Sequence, residues 1–145
     1  MAIVAAVDRE ERSRHVIREA ERLADSFGDS IHVVHVLTRS EFVEMGVDSA
    51  ESGTDGVSMD DIRDAATRIA AEAGDDIESE WEAVGLIGDP ATRVIEYADE
   101  QDARYVVVAP RKRSPTGKVL FGSVAQTVLL NADRPVVTVL EGDSS

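Results

Sequence analysis

The sequence predicts an α/β fold: a single doubly wound, five-stranded parallel sheet with helices on both faces, forming a three-layer sandwich of flavodoxin size. Short apolar runs alternate along the chain with segments of helical periodicity, which is typical of parallel sheets with right-handed crossovers. The chain has 145 residues, of which 43% are hydrophobic, and this is enough for one core. We therefore expect one domain over residues 1–141 and a short frayed tail over 142–145.

Five segments have the pattern of strands. Residues 2–7, 31–37 and 105–109 are continuous apolar runs, which are typical of strands covered on both faces. Residues 76–85 alternate apolar and acidic side chains, so we expect an edge strand with one face in water. Residues 134–140, RPVVTVL, supply the last strand.

Four helices are predicted from their start and stop signals. We expect them to begin at Asp8 (a capping box with Glu11), at Ser58, at Asp89 (with Pro90 in the first turn) and at Ser123 (a capping box with Gln126). Gly28 and Gly74 are placed to end the first two. Residues 38–57 have the composition of a loop, with a short turn over 41–45.

The charge balance excludes several classes of function. The chain carries 29 acids against 15 bases, a formal net charge of −14 and a pI near 4.5. We therefore expect no binding to nucleic acid or to anionic membranes, because both need a basic face. The chain has no cysteine, so disulfides and thiol chemistry are excluded. The first apolar run is too short to span a membrane and lacks the features of a signal peptide, so we expect a cytoplasmic protein.

One segment departs from this acidic composition. No acid occurs over residues 103–132, and the only two lysines of the chain, Lys112 and Lys118, fall within it beside Arg111 and Arg113. The chain as a whole, with dispersed acids and bases that are almost all arginine, resembles proteins from salt-accumulating halophiles. In molar salt the Debye length is about 3 Å, so a basic loop would act on a ligand by direct contact.

Three predicted strands bring residues to one edge of the sheet. Asp8 follows the first strand, Val36 lies at the end of the second, and the basic loop follows Val108. Ligands of open α/β sheets bind outside the carboxyl ends of the strands, where the strand order reverses. The sequence therefore predicts a ligand site at this edge.

Four motifs extend from one end of the chain to the other: AAVDREE (5–11), VVHV (33–36), GDPATRVIEYADEQDARYVVVA (88–109) and GSVAQTVLLNADRPVVTVL (122–140). On these motifs the chain resembles the universal stress protein family, whose fold is adenine-nucleotide α-hydrolase-like. The resemblance implies a cytoplasmic stress-response regulator that binds ATP or AMP, with Mg²⁺ where present bound through the phosphates.

The resemblance also implies roles for individual residues. Asp8 would hold the ribose hydroxyls, and Val36 would contact the adenine edge through its backbone. The family's loop of Gly, two residues, Gly, nine residues and Gly-Ser or Gly-Thr falls at Ala109, Lys112 and Gly122–Ser123. The implied nucleotide-binding residues are Asp8, Val36, Val108, Ala109, Arg111, Lys112, Arg113, Lys118, Gly122, Ser123 and Val124.

Two of the three loop glycines are replaced in this chain. Ala109 adds a methyl group, and Pro110 removes an N–H and favours extended backbone at Ala109. Lys112 and its basic neighbours bring charged donors that can take the place of backbone donors to a polyphosphate. We interpret residues 109–123 as a variant nucleotide loop; a solvated basic patch that pairs with acidic surfaces is the alternative. For Asp8 and Ser123, the alternative to contact with the ligand is a role as helix caps.

The resemblance implies a homodimer in which the final strands of two subunits pair antiparallel through Val136, Val137 and Val139. A nucleotide-free homodimeric module that acts on an unidentified protein partner is the second functional hypothesis. An enzyme subunit of the wider adenine-nucleotide-binding group is the third. His32 and His35 do not have the spacing of a one-sided strand pair, so we expect structural roles and no metal site. No nucleophile, base and orienting group come together, so we expect at most slow hydrolysis of ATP.

Overall fold

Five parallel strands form the central sheet of this computed structural model, which describes residues 1–9, 12–45, 58–110, 112–113, 119–120 and 122–139. The strands are β1 (Ala2–Ala6), β2 (Ser30–Leu37), β3 (Trp81–Ile87), β4 (Tyr105–Val108) and β7 (Val136–Thr138). The helices are α1 (Ser13–Phe27), α2 (Arg39–Glu44), α3 (Met59–Ala73), α4 (Pro90–Glu100) and α5 (Ser123–Asn131). Two short antiparallel strands, β5 (Lys112–Arg113) and β6 (Val119–Leu120), pair with each other beside the sheet.

The strand order is β3-β2-β1-β4-β7, with every neighbouring pair parallel. The chain runs outward from β1 to β3 and then returns to the other side of β1 with β4. The order therefore reverses between β1 and β4, which is where open α/β sheets bind ligands. The predicted doubly wound, five-stranded parallel sheet is confirmed.

Alternate residues of each central strand enter two different cores. Ile3, Ala5 and Val107 pack on one face against α1, whose Val16 and Ala20 are fully buried. On the other face the neighbouring strand residues pack against α4 and α5; this second core contains Val4, Val34, Val106, Val94 and Val128. The strands read as continuous apolar runs because both faces are covered.

The predicted start of the first helix is wrong. α1 begins at Ser13, and the residue before it, Arg12, makes no side-chain capping hydrogen bond. The carboxylate of Asp8 accepts hydrogen bonds from Arg12 and Ser13 and lies outside the helix. Glu11 falls outside the described residues. The predicted end is confirmed, since Gly28 takes a left-handed conformation with φ of 71°.

Two other helix starts follow the sequence. Ser58 caps α3 in a reciprocal box with Asp61, and Asp89 caps α4 with Pro90 in the first turn. The short turn expected over 41–45 is instead the helix α2, which Thr38 and Glu41 cap in the same reciprocal way. Residues 46–57 of the expected loop lie outside the described part of the chain.

The expected capping box of Ser123 with Gln126 is wrong. Gly122 occupies the cap position of α5, and its carbonyl oxygen accepts the N–H of Gln126 at 3.0 Å. Ser123 is therefore already the first helical residue, and no side chain caps this helix. The hydroxyl of Ser123 lies on an exposed residue beside a helix N-terminus.

The edge strand β3 is shifted along the chain from the expected 76–85. The N–H of Ile77 donates to Gly74 at 3.0 Å, so the turn after α3 continues and the strand starts only at Trp81. The edge position itself is confirmed. Helix α3 lies directly on this strand, because a Cβ added at Gly85 would come within 2.4 Å of the backbone nitrogen of Thr67.

The last predicted strand is shorter than 134–140, since β7 covers only Val136–Thr138; residues 140–145, which include the predicted tail, fall outside the described residues. Within the described residues, no helix is long and apolar enough to cross a membrane.

Candidate functional site

A cleft of about 590 Å³ opens at the carboxyl ends of β1, β2 and β4, beside the first turn of α5. It lies where the strand order reverses, as the sequence predicts. Its charged lining residues within the described chain are two acids and two arginines, so this part of a strongly acidic protein is locally balanced. The lining comprises Ala6, Val7, Asp8, Arg9, Arg12, Val34, His35, Val36, Leu37, Glu41, Pro90, Val94, Val108, Ala109, Gly122, Ser123, Val124 and Ala125.

Ser13 fixes the turn that places Asp8 in the cleft. The backbone N–H of Asp8 donates to Ser13 Oγ at 2.8 Å, and the same hydroxyl lies 2.9 Å from the carbonyl oxygen of Asp8. Ser13 is buried, although it is polar, because these contacts satisfy its hydroxyl. The turn between β1 and α1 is thus closed by a side chain, and the carboxylate of Asp8 lies at the strand end.

The Asp8 carboxylate forms a charged pair within the cleft. Arg12 donates to Asp8 Oδ2 through Nε at 2.8 Å and through Nη2 at 2.5 Å, and Ser13 Oγ lies 3.0 Å from Oδ1. The side chains of Asp8 and Arg12 keep 34% and 24% of their surface exposed. The Asp8 carboxylate that lines the cleft is therefore already paired with Arg12.

His35 holds the end of β1 against β2. The Nδ1 atom of His35 lies 2.7 Å from the carbonyl oxygen of Val7. His35 is buried, with 8% of its surface exposed. A carbonyl oxygen only accepts, so Nδ1 carries the proton and Nε2 is the acceptor of the neutral ring. Burial lowers the pKa of His35, and the hydrogen bond to Val7 opposes this shift in part. The net lowering keeps the imidazole neutral at pH 7.

The N-terminus of α5 forms the opposite wall. Gly122 and Ser123 line the cleft together with Val124 and Ala125, and no acid lies in the first helical turn. The first N–H groups of a helix have no partner within it and carry the positive end of its macrodipole. This wall can therefore bind an anionic group.

The floor of the cleft is apolar. Val36 and Val108 are buried at the ends of their strands, and Ala109 is half-buried with its methyl group packed against the core of the sheet. Pro110, which follows, is buried. Val36, Val108 and Ala109, together with Val94 of α4, form a surface that suits a flat, largely apolar group.

The structure brings together seven of the eleven predicted nucleotide-binding residues; Asp8, Val36, Val108, Ala109, Gly122, Ser123 and Val124 all line the cleft. Lys112 and Arg113 form the short strand β5, whose side chains are not described. Arg111 and Lys118 fall outside the described residues. The nucleotide-binding roles of all eleven residues stay predictions, and for these four the position in the cleft does as well.

Sequence reasoning did not identify Arg12, Glu41 or His35 as cleft residues. Arg12 lies four positions after Asp8, and this spacing pairs opposite charges even in a single helical turn. It was overlooked because the helix was expected to begin at Asp8. Glu41 was assigned to a loop, whereas its carboxylate closes the capping box of α2 at the rim of the cleft. His35 was expected to be structural, and its contact with Val7 agrees with that role.

Comparison with known proteins gives a consistent result. The model of the Universal stress protein family matches residues 1–139. A universal stress protein of Methanocaldococcus jannaschii is 26% identical over 140 residues, which cover 94% of this chain and 80% of that protein. A solved universal stress protein from Archaeoglobus fulgidus is 34% identical with a TM-score of 0.65, and the match covers 96% of this chain and 98% of the other.

Two further solved structures contain nucleotides. A universal stress protein from Archaeoglobus fulgidus in complex with dAMP is 29% identical with a TM-score of 0.61, covering 96% of this chain and 97% of that one. A universal stress protein in complex with cAMP is 19% identical with a TM-score of 0.63, covering 98% of both chains, and this likeness supports the fold alone.

Proposed function

Because the chain belongs to the universal stress protein family, we propose that it is a cytoplasmic stress-response regulator that binds an adenine nucleotide in the cleft. The observation that carries this proposal is the meeting of Asp8, the buried end of β2 at Val36 and the N-terminus of α5 around one space of about 590 Å³. That volume lies within the range of about 300–1,000 Å³ that is usual for small-molecule sites.

Each wall matches one part of a nucleotide. The Asp8 carboxylate accepts hydrogen bonds from sugar hydroxyls, and the apolar floor at Val36 takes the base. The free N–H groups at Gly122 and Ser123 receive phosphate oxygens, with the macrodipole adding about 0.3–1 kcal/mol. The Archaeoglobus fulgidus relative in complex with dAMP, which is 29% identical over nearly the whole chain, supports the binding of an adenine nucleotide in general.

We propose ATP or AMP as the ligand, with Mg²⁺ bound through the phosphates where it is present. Arg111, Lys112, Arg113 and Lys118 then contact the phosphates of the longer ligand and take the place of the loop glycines. Ala109 and Pro110 keep the backbone extended on the sheet side of the cleft. The protein acts by binding, with at most slow hydrolysis of bound ATP.

The test is isothermal titration of AMP, ADP and Mg-ATP into the purified protein, after co-purified nucleotide has been measured at 260 nm. We expect a micromolar dissociation constant for at least one of them. The double variant Gly122→Val with Ser123→Ala should lose most of this affinity, because it removes the hydroxyl and crowds the helix N-terminus.

Thr127→Ala is the matched control for the test. It removes a hydroxyl from the same helix one turn further on, outside the residues that line the cleft. Binding should be unchanged in this variant. A folded protein that binds none of the three nucleotides and carries none from the cell would overturn the proposal.

We also propose that the protein forms a homodimer through β7. This strand lies at the edge of the sheet, and Val136, Val137 and Val139 are half-buried against the cores of their own subunit. The N–H of Val139 donates to Val108, so the N–H of Thr138 points away from β4, toward the open edge.

Thr138→Pro tests this dimer. Proline removes one outward N–H and leaves the contacts with β4 in place, because the residues that bond β4 are its neighbours. We expect the variant to be a folded monomer by sedimentation, while Thr138→Val stays dimeric. A dimer of unchanged strength in Thr138→Pro would exclude pairing through this edge.

The open β7 edge also favours the second candidate, a nucleotide-free homodimeric module that acts on another protein. The two candidates give opposite results with the same variants. If the nucleotide is the signal, Gly122→Val with Ser123→Ala abolishes the response of cells to stress. If the dimer surface alone acts, that variant keeps the response, and Thr138→Pro abolishes it.

A further inference from the structure

The carboxylate that faces the proposed sugar position is largely occupied within the chain itself. Asp8 Oδ2 accepts both Nε and Nη2 of Arg12, at 2.8 and 2.5 Å, and Oδ1 lies 3.0 Å from Ser13 Oγ. A carboxylate offers about four acceptor positions, two on each oxygen. Both acceptor positions on Oδ2 are therefore used by Arg12 before any ligand enters, and the single hydroxyl proton of Ser13 is shared between Oδ1 and the carbonyl oxygen of Asp8.

This occupancy matters for the sugar that the cleft accepts. A ribose presents two neighbouring hydroxyl donors, which a carboxylate with two available positions binds together. A 2′-deoxyribose presents one. With both positions on Oδ2 taken by Arg12, Asp8 gains little from the second hydroxyl of ribose. A site discriminates strongly against 2′-deoxyribose only when the missing hydroxyl leaves one of the site's own polar groups without a hydrogen-bond partner.

We propose that Arg12 determines how strongly the cleft distinguishes ribonucleotides from 2′-deoxyribonucleotides, because its guanidinium occupies the acceptor positions of Asp8 that the second hydroxyl would use. This inference rests on the proposed function, in which Asp8 contacts the sugar. It makes Arg12 a specificity-determining residue of the same site.

Arg12 has this role and Ser13 does not, for a geometric reason. Ser13 is buried and closes the turn through the backbone of Asp8, so its removal disturbs the position of the carboxylate. Arg12 lies in the lining of the cleft and bonds the carboxylate at Oδ2. Replacing Arg12 opens Oδ2 to the ligand while the Ser13 contacts keep Asp8 in place.

The experiment compares the dissociation constants of AMP and dAMP by isothermal titration. The ratio of the two constants cancels effects on the phosphate and on the base, which the ligands share. In the wild-type protein we expect a preference for AMP of about threefold or less, as for one neutral hydrogen bond. In Arg12→Met, which keeps the aliphatic stem, the preference should rise about tenfold, because a charged acceptor now binds the second hydroxyl.

Two further variants separate hydrogen bonding from charge. Arg14→Met removes the same charge from an exposed position of α1 outside the cleft lining, and its ratio should equal that of the wild type. Arg12→Lys keeps the charge but donates through a single nitrogen, so its ratio should lie between those of the wild type and Arg12→Met. This variant also replaces Arg12→Met if the latter does not fold.

The outcomes separate this inference from the proposed function. A ratio that rises in Arg12→Met and stays constant in Arg14→Met supports the role of Arg12. Binding of AMP with the same ratio in all folded variants overturns that role and leaves the nucleotide site intact. Absence of binding by either nucleotide in every variant overturns both.

Discussion

Two aspartate–arginine pairs lie at opposite ends of the sheet, and they do different work. At the amino ends of the strands, Asp29 accepts Arg104 Nε at 2.6 Å and lies 3.4 Å from the amino group of Met1, with 3% of its side chain exposed. At the carboxyl ends, Asp8 pairs with Arg12 in the lining of the cleft, with 34% of its side chain exposed.

The difference lies in what each pair connects. Asp29 and Arg104 are 75 residues apart and precede β2 and β4, while Met1 precedes β1. Arg104 also stacks over Phe27 at 4.2 Å, at the end of α1. Asp8 and Arg12 are four residues apart in one turn. The distant, buried pair therefore fixes the starts of three strands, and the local pair adjusts the charge and acceptors of a site.

The largest expected contrast is between two isosteric substitutions. Asp29→Asn should lower the free energy of unfolding by about 2 kcal/mol, because Arg104 loses a charged acceptor at a buried position. Asp8→Asn should cost about 1 kcal/mol or less, since its pair is partly exposed. Urea unfolding with an unchanged m-value measures both. Equal losses would show that the two ends do not differ in this way.

Acid should weaken the stabilising effect of the Asp29–Arg104 pair at the amino ends of the strands. The hydrogen bond from Arg104, helped by the Met1 amino group, holds the pKa of Asp29 below its ordinary value of 3.8. A lowered folded-state pKa gives stability that is present above that ordinary value and is lost as the pH falls through the folded value. Urea unfolding at pH 5 and at pH 3 should thus show a smaller decline for Asp29→Asn than for the wild type. Parallel declines would contradict this assignment.

His35 should give the carboxyl end its own pH dependence at a higher pH. Burial lowers the pKa of His35, while Glu41 and Asp8 raise it and Arg9 lowers it. The imidazole of His35 therefore binds a proton more tightly in the unfolded chain than in the folded one. The free energy of unfolding should fall as the pH drops from 6.5 through the pKa of His35 in the folded protein. His35→Gln should flatten this part of the profile, measured by thermal unfolding between pH 7 and pH 5. His15→Gln, on a partly exposed residue of α1, is the control.

The smallest expected effect sharpens the contrast. Arg12→Met should change the free energy of unfolding by about 0.5 kcal/mol or less, as for other pairs four residues apart. Arg104→Met should destabilise the protein more, because it leaves the buried Asp29 carboxylate without its main donor. The same urea titrations compare the two variants. A larger loss in Arg12→Met would mean that the cleft pair is also structural.

Local signals in the sequence predict most of the fold. Ser58, Asp89 with Pro90, and Gly28 are found where their capping chemistry predicts, because each acts on backbone groups within a few residues. The buried strands follow from continuous apolar runs. The strand order does not follow from these signals, because right-handed crossovers are compatible with more than one order.

The errors occur where a side chain has a competing partner. Asp8 has the sequence pattern of a helix cap, but Arg12 and Ser13 take its carboxylate, and the helix starts five residues later. The late start of β3 has a different cause, since a backbone hydrogen bond from Ile77 to Gly74 extends the turn after α3. The Asp29–Arg104 pair has no signal in one sequence, because it depends on two strands meeting 75 residues apart.

The candidate site was predicted in outline only. The strand ends and Gly122–Ser123 converge as expected, since parallel strands carry their carboxyl ends to one edge. The ion pair that fills the Asp8 carboxylate was not predicted, and it changes what that residue offers a ligand. The phosphate contacts of Arg111, Lys112, Arg113 and Lys118 stay predictions.

The hydrogen bond between His35 and Val7 has a consequence for the timing of ligand exchange. It ties the carbonyl of Val7, the first residue after β1, to the neighbouring strand, so the backbone at this point is already held before a ligand arrives. At this wall of the cleft, ligand entry then requires no slow backbone opening, and exposed side chains rotate on the picosecond-to-nanosecond scale. The hydrogen-bonded Nδ1 proton of His35 should therefore be observed by NMR in both the free and the nucleotide-bound protein.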